Sequence, residues 1–120
     1  MQSIAIVLNV AEDQADEFER GFRDKELPIW KDLSDRGLLV MATLSRLDIS
    51  TVRTEGAAQF LVAVVFATDE GHHVHDSDPR FEAWNREADR YQIADPYVFG
   101  GDAILNVGPG WDVSRAPGGR

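Results

Sequence analysis

The chain contains no cysteine, which removes disulfides, thiolate catalysis and zinc–sulfur centres from consideration. Positive charge is scarce: 12 Lys and Arg stand against 21 Asp and Glu, a formal charge of −9. Nucleic acid and anionic membranes would repel such a chain, so neither is expected as a partner. No apolar run is long enough to span a bilayer. The amino terminus lacks the charged region, apolar run and small-residue cleavage site of a secretory leader. The expectation is a cytoplasmic protein. Histidine is also rare, with 3 in 120 residues, and all of them crowd into one stretch, "GHHVHDSDPRF" at 71–81.

What is present suits one folded domain. The apolar fraction is 43%, ordinary for a globular chain, and 120 residues build a single core. Residues 3–10, "SIAIVLNV", are apolar on both alternating faces and predict a central strand. From 11 to 37 the pattern is helical, with Phe18, Phe22, Ile29 and Leu33 on one stripe and Gly37 as the stop. Pro28 conflicts with an unbroken helix and predicts a kink or break near Lys25 to Pro28. Residues 38–50 predict a second strand, 51–56 a turn, and 57–68 a third strand antiparallel to the second. Asp78 as N-cap and Pro79 at the first position open another helix, whose Phe81, Trp84, Ala88 and Tyr91 share a face. Residues 95–108 predict the last strand. The Gly- and Pro-rich segment 109–120 is expected to lie outside the domain of residues 1–108 as a tail, anchored by Trp111 if ordered.

The order β-α-β-β-α-β is the ferredoxin-like, α+β arrangement, a four-stranded antiparallel sheet with helices on one face. Both faces of its strands are apolar: Ile4, Ile6 and Leu8 against Ala5 and Val7, and Phe60, Val62 and Val64 against Leu61, Ala63 and Val65. One chain has helices for only one face, so a second copy of the sheet is expected to cover the other. At this point the chain resembles the dimeric α+β barrel superfamily. That group includes stress-responsive A/B barrel proteins, cofactor-independent antibiotic-biosynthesis monooxygenases, cyclases of the olivetolic acid cyclase kind and haem-degrading monooxygenases. The resemblance covers roughly residues 3–108. Its most motif-like part is a histidine loop after the third strand, an aromatic opening the next helix, and a D-x-x-V/F entry to the last strand. Here these are His72 to His75, Phe81, and Asp95 to Phe99. Where stress-responsive barrels tend to read His-Pro-x-His before the aromatic, this chain has "HDSDPRF".

The resemblance implies a ligand pocket between sheet and helices, bordered by the segment before the second helix. His72, His73 and His75 would then sit at its lip. Three readings of them stand side by side: a general base, whose pKa suits working pH; a metal or haem ligand set; or a solvated acidic loop. For chelation, His73 and His75 would point to one side of an extended segment, with Asp69, Asp76 and Asp78 as possible oxygen donors, but no further His or Cys completes a shell. Among the three histidines His75, nearest the helix start, is the favoured catalytic residue. Trp30, at the edge of the first helical stripe, and Phe22, Trp84 and Tyr91 are candidates to hold a substrate, although the helical stripes alone explain the last three. Asn9 could bond a ligand carbonyl, as the monooxygenases use asparagine, or simply end its strand. Arg46 and Arg53 could meet a ligand anion, or only neighbouring carboxylates.

The expected function is therefore a small homodimeric enzyme acting on a hydrophobic, aromatic or polyketide-like molecule, as monooxygenase or cyclase with a histidine base. No bound cofactor is expected, since "FGGD" lies in a predicted strand rather than before a helix, and no metal is assigned. The rivals are a non-catalytic ligand-binding or stress-response barrel, and a haem or metal protein using His72 to His75.

Overall fold

The computed structural model describes residues 1–108 together with 113 and 114. Strand β1 (Gln2–Ala11) leads through a short turn into helices α1 (Ala15–Lys25) and α2 (Leu27–Asp35). Strands β2 (Leu39–Arg46) and β3 (Ala57–Phe66) follow, then helices α3 (Asp69–Asp76) and α4 (Pro79–Asp89) and strand β4 (Gln92–Asp102). The sheet runs β2-β3-β1-β4 with every pair antiparallel. This is the α+β, ferredoxin-like fold, with both helical segments split in two.

Alternation decides the two faces of the sheet. Ile4 pairs with Val64, Ile6 with Val62 and Leu8 with Phe60, and these side chains meet the helices. Phe18, Phe22, Ile29, Leu33 and Trp84 pack down on them in one core. Fully buried Phe18, Ile29 and Leu33 each contribute about 1.5–3 kcal/mol relative to an exposed position. The opposite face carries no helix. There Ala5 and Val65 are half-buried, while Met41, Tyr97 and Phe99 are 50%, 38% and 61% exposed.

Several boundaries differ from the sequence expectation. β2 stops at Arg46 rather than residue 50, and the Leu47 N–H makes one further bond to β3 in the same register, to the carbonyl of Gln59. β4 begins at Gln92 and ends at Asp102, ahead of the expected 95–108. Its start follows from α4, which ends at Asp89 and returns the chain to the sheet within two residues. The break expected between Lys25 and Pro28 is present, α1 ending at Lys25 and α2 starting at Leu27. Gly37, with φ 75°, closes α2. Within 109–120, only Val113–Ser114 (β6) is described, paired with Leu105–Asn106 (β5). Trp111 lies outside the described residues, as does most of the expected tail. No helix among the described residues is long and apolar enough to cross a membrane.

Candidate active site

The helical break builds one wall of a cavity. Pro28 has no amide hydrogen, so the helix cannot carry its ladder through this turn. It restarts on bonds from the Glu26 N–H to the Phe22 carbonyl and from the Trp30 N–H to the Glu26 carbonyl. Glu26 is the joint, and it is buried. It lines a cavity of about 330 Å3 between the helices and the helix-covered face of the sheet. The floor is Ile4, Ile6 and Leu8 with Val62 and Val64, and the aromatic wall is Phe18, Phe22, Trp30, Phe81 and Trp84.

The histidines do not lie on a loop. Residues 69–76 form α3, and Gly71 within it is a packing contact. A Cβ there would stand 2.7 Å from the Leu38 carbonyl oxygen and 3.0 Å from the Phe66 ring, so only glycine lets the helix lie this close. Helical spacing also regroups the side chains. His73 and His75, two apart, diverge, while His72 and His75, three apart, share a face. Both of the latter line the cavity, together with Asp76.

These residues form a connected network with Glu26. His75 Nε2 lies 2.5 Å from Glu26 Oε2, and its Nδ1 lies 2.9 Å from Asp76 Oδ1. Asp76 Oδ2 is 3.0 Å from His72 Nε2, and His72 Nδ1 is 3.2 Å from Gln2 Oε1. His72 stacks on Phe66 at 5.3 Å, and His75 packs on Phe81 at 4.2 Å. Burial of His75 disfavours its charged form, but the carboxylates of Glu26 and Asp76 on its ring nitrogens outweigh burial and raise its pKa above 6.5. With a side-chain carboxyl oxygen on each ring nitrogen, the geometry favours the doubly protonated form of His75, donating from both. Such a ring has no lone pair to take a proton. The free acceptor is on its partner: Glu26 Oε1 is buried and has no hydrogen-bond partner among the described residues.

Of the residues singled out in the sequence, His72, His75, Phe22, Trp30 and Trp84 come together on the cavity. His73 is exposed. Tyr91 stands behind the wall, edge-on to Phe18 at 5.9 Å. Asn9 lies on the other face of β1 from Ile6 and Leu8, where its Nδ2 donates to the Asp95 carbonyl and its Oδ1 accepts from Gln59 Nε2. That fully buried amide ties β1, β3 and β4 together. Arg46 meets Asp16 at 3.4 Å and Arg53 the Asp48 carbonyl at 2.9 Å. Sequence reasoning missed Glu26. The signal that could have found it is a carboxylate two residues before a proline inside an apolar helical stripe. Among the described residues, no group of three or more His, Asp or Glu side chains is arranged to hold a metal ion.

The four-stranded antiparallel sheet, with helices on one face and an aromatic cavity between them, is a ferredoxin-like fold. Known structures agree. An antibiotic biosynthesis monooxygenase superposes with a TM-score of 0.66 at 13% identity, over 87% of this chain and 99% of that one. A protein provisionally named antibiotic biosynthesis monooxygenase, from Caulobacter crescentus, gives 0.70 at 17% identity, over 86% and 89%. An uncharacterized NIPSNAP domain protein from Burkholderia xenovorans gives 0.63 at 12%, over 91% and 100%. No family model matches the sequence, and no curated protein does. At these identities the likeness establishes the fold alone.

Proposed function

We propose that the protein is a homodimeric enzyme that removes a proton from a hydrophobic, aromatic or polyketide-like molecule, in monooxygenase- or cyclase-type chemistry without a bound cofactor. The carrying observation is the Glu26–His75 pair, a carboxylate with one unpartnered oxygen backed by a buried imidazolium on an apolar cavity. The base is thus Glu26 rather than His75, the histidine that the sequence favoured for this role. Glu26 Oε1 accepts the proton from an activated C–H or O–H. His75 orients the carboxylate and holds Oε2, and the aromatic walls exclude water and position the ring of the substrate. The substrate becomes the anion, ready for oxygen or for ring closure.

The dimer half of the proposal rests on the bare sheet face. Met41, Tyr97 and Phe99 stand out from it beside Ala5 and Val65, an apolar patch that suits a second copy of the same sheet. The test of the chemistry is aerobic turnover of two probes, anthrone for an activated methylene and naphthalene-1,3-diol for a phenol, followed by absorbance and oxygen uptake. Glu26→Gln should lower turnover about a hundredfold or more, the scale of losing a general base. His75→Ala should also lower it. Binding of both probes with no turnover by the wild type would turn the reading into that of a ligand-binding barrel.

A further inference from the structure

Proton transfer at Glu26 leaves one polar feature of the cavity unused. Gln92 opens β4 and lines the cavity. A hydrogen bond from its Nε2 to Asp89 Oδ1 at 3.3 Å fixes which way the amide faces. Its Oε1 is buried and has no partner among the described residues. A buried acceptor without a donor is costly, and native proteins keep few of them. Two residues that line this cavity, Glu26 and Gln92, each carry one such oxygen.

They belong to opposite ends. Gln92 pairs with Val10 at one end of β1. His72, on the same short helix as Glu26's partner His75, is bonded to Gln2 at the other end. Ile4, Ile6 and Leu8 floor the space between. On the helical wall, Phe18 packs against Tyr91, the neighbour of Gln92, and Glu26 follows about two helical turns later.

We propose that the cavity of about 330 Å3 selects an uncharged, apolar molecule that carries a hydroxyl or N–H donor at each end, one for Glu26 and one for Gln92. The Glu26 end rests on the proton-transfer reading above; the Gln92 end adds a residue that determines specificity. An anionic group is disfavoured because it would meet the Glu26 carboxylate, whose counter-charge His75 already donates from both nitrogens. An ether is disfavoured because it sets acceptor against acceptor.

Calorimetric titration of the wild-type protein with naphthalene-2,6-diol, 2-naphthol, 2,6-dimethoxynaphthalene and naphthalene-2,6-dicarboxylate tests this. The diol should bind about five- to tenfold more tightly than the mono-ol, the net effect of one further buried hydrogen bond. The diether and dicarboxylate should each bind at least about tenfold more weakly than the diol. In Gln92→Leu the diol should lose its advantage while the mono-ol binds as before. A diether or dicarboxylate as tight as the diol, or an undiminished diol preference in Gln92→Leu, overturns the proposal. Calorimetry reads no turnover, so loss of the donor preference with binding intact leaves the proposed chemistry standing. The donor preference without turnover does the reverse. Absence of binding by every naphthalene overturns both.

Discussion

Glu26→Gln also isolates the charge on the buried pair from its shape. Glutamine fills the same volume and can still accept from His75 Nε2, but the negative charge 2.5 Å from the ring is gone. The pKa of His75 in the folded protein is raised above 6.5. The stability it contributes is therefore complete below about pH 6.5 and is lost as pH climbs through the folded value. The groups facing it are Glu26 from the helical joint, Asp76 on its own helix and Asp78 just beyond, with His72 sharing Asp76. The Glu26 and His75 side chains are 4% and 11% exposed, so solvent screens this pair little. Asp76, at 52%, is screened far more. Breaking a buried pair outright costs about 3–5 kcal/mol. Since glutamine keeps the hydrogen bond, the expected loss at pH 6 is about 2 kcal/mol. That difference should shrink as His75 gives up its proton at higher pH. Urea denaturation followed by tryptophan fluorescence from pH 6 to 9, at one protein concentration, measures it. His72→Gln and His73→Gln in both backgrounds leave His75 as the sole titrating histidine. Parallel stability curves for wild type and Glu26→Gln would refute the charged pair.

Two further outcomes follow from packing. Light scattering at micromolar concentration should give twice the 13.4 kDa of one chain, and Met41→Asp with Phe99→Asp should shift the protein toward monomer; a wild-type monomer would sink the sheet-to-sheet dimer. Gly71→Ala should destabilise by about 1–3 kcal/mol and weaken naphthalenediol binding, because its methyl would meet the Leu38 carbonyl and Phe66 and push α3 outward. Alanine is the better helix former by about 1 kcal/mol, so a stabilised variant with unchanged binding would show the contact to be unimportant.

The strands and the element order were legible because their signals are local. Ile4, Ile6 and Leu8 alternate with Ala5 and Val7, and the ladder pairs them as that pattern requires. Asp78 caps α4 by accepting from the Arg80 N–H at 2.8 Å, the role its place before Pro79 suggested. The site was less legible because its signals are tertiary. Asn9 looked like a ligand-binding residue, but residues 50 and 86 positions away claim its amide. His75 looked like a free base, yet Glu26, 49 positions away, occupies Nε2. Gln92 shows its value only once the sheet and α4 have closed around its oxygen.

Local pattern failed where a residue did something other than its usual work. Pro28 is normally a helix stop, but here the chain resumes its course after it, leaving Glu26 at a joint where its side chain turns to the cavity wall. Gly71 is normally a breaker, but here it sits inside a helix because its missing side chain lets α3 settle onto Leu38 and Phe66. Each departure supplies one member of the Glu26–His75 pair, and neither member is useful alone. Without α3 pressed inward, Glu26 would be a buried carboxylate with no counter-charge, a costly arrangement. Without the joint at Glu26, burial would work against the charge on His75, and only the half-exposed Asp76 would favour it. Two residues that oppose regular helices thus make the buried charge tolerable, and in doing so leave one carboxylate oxygen free for a ligand.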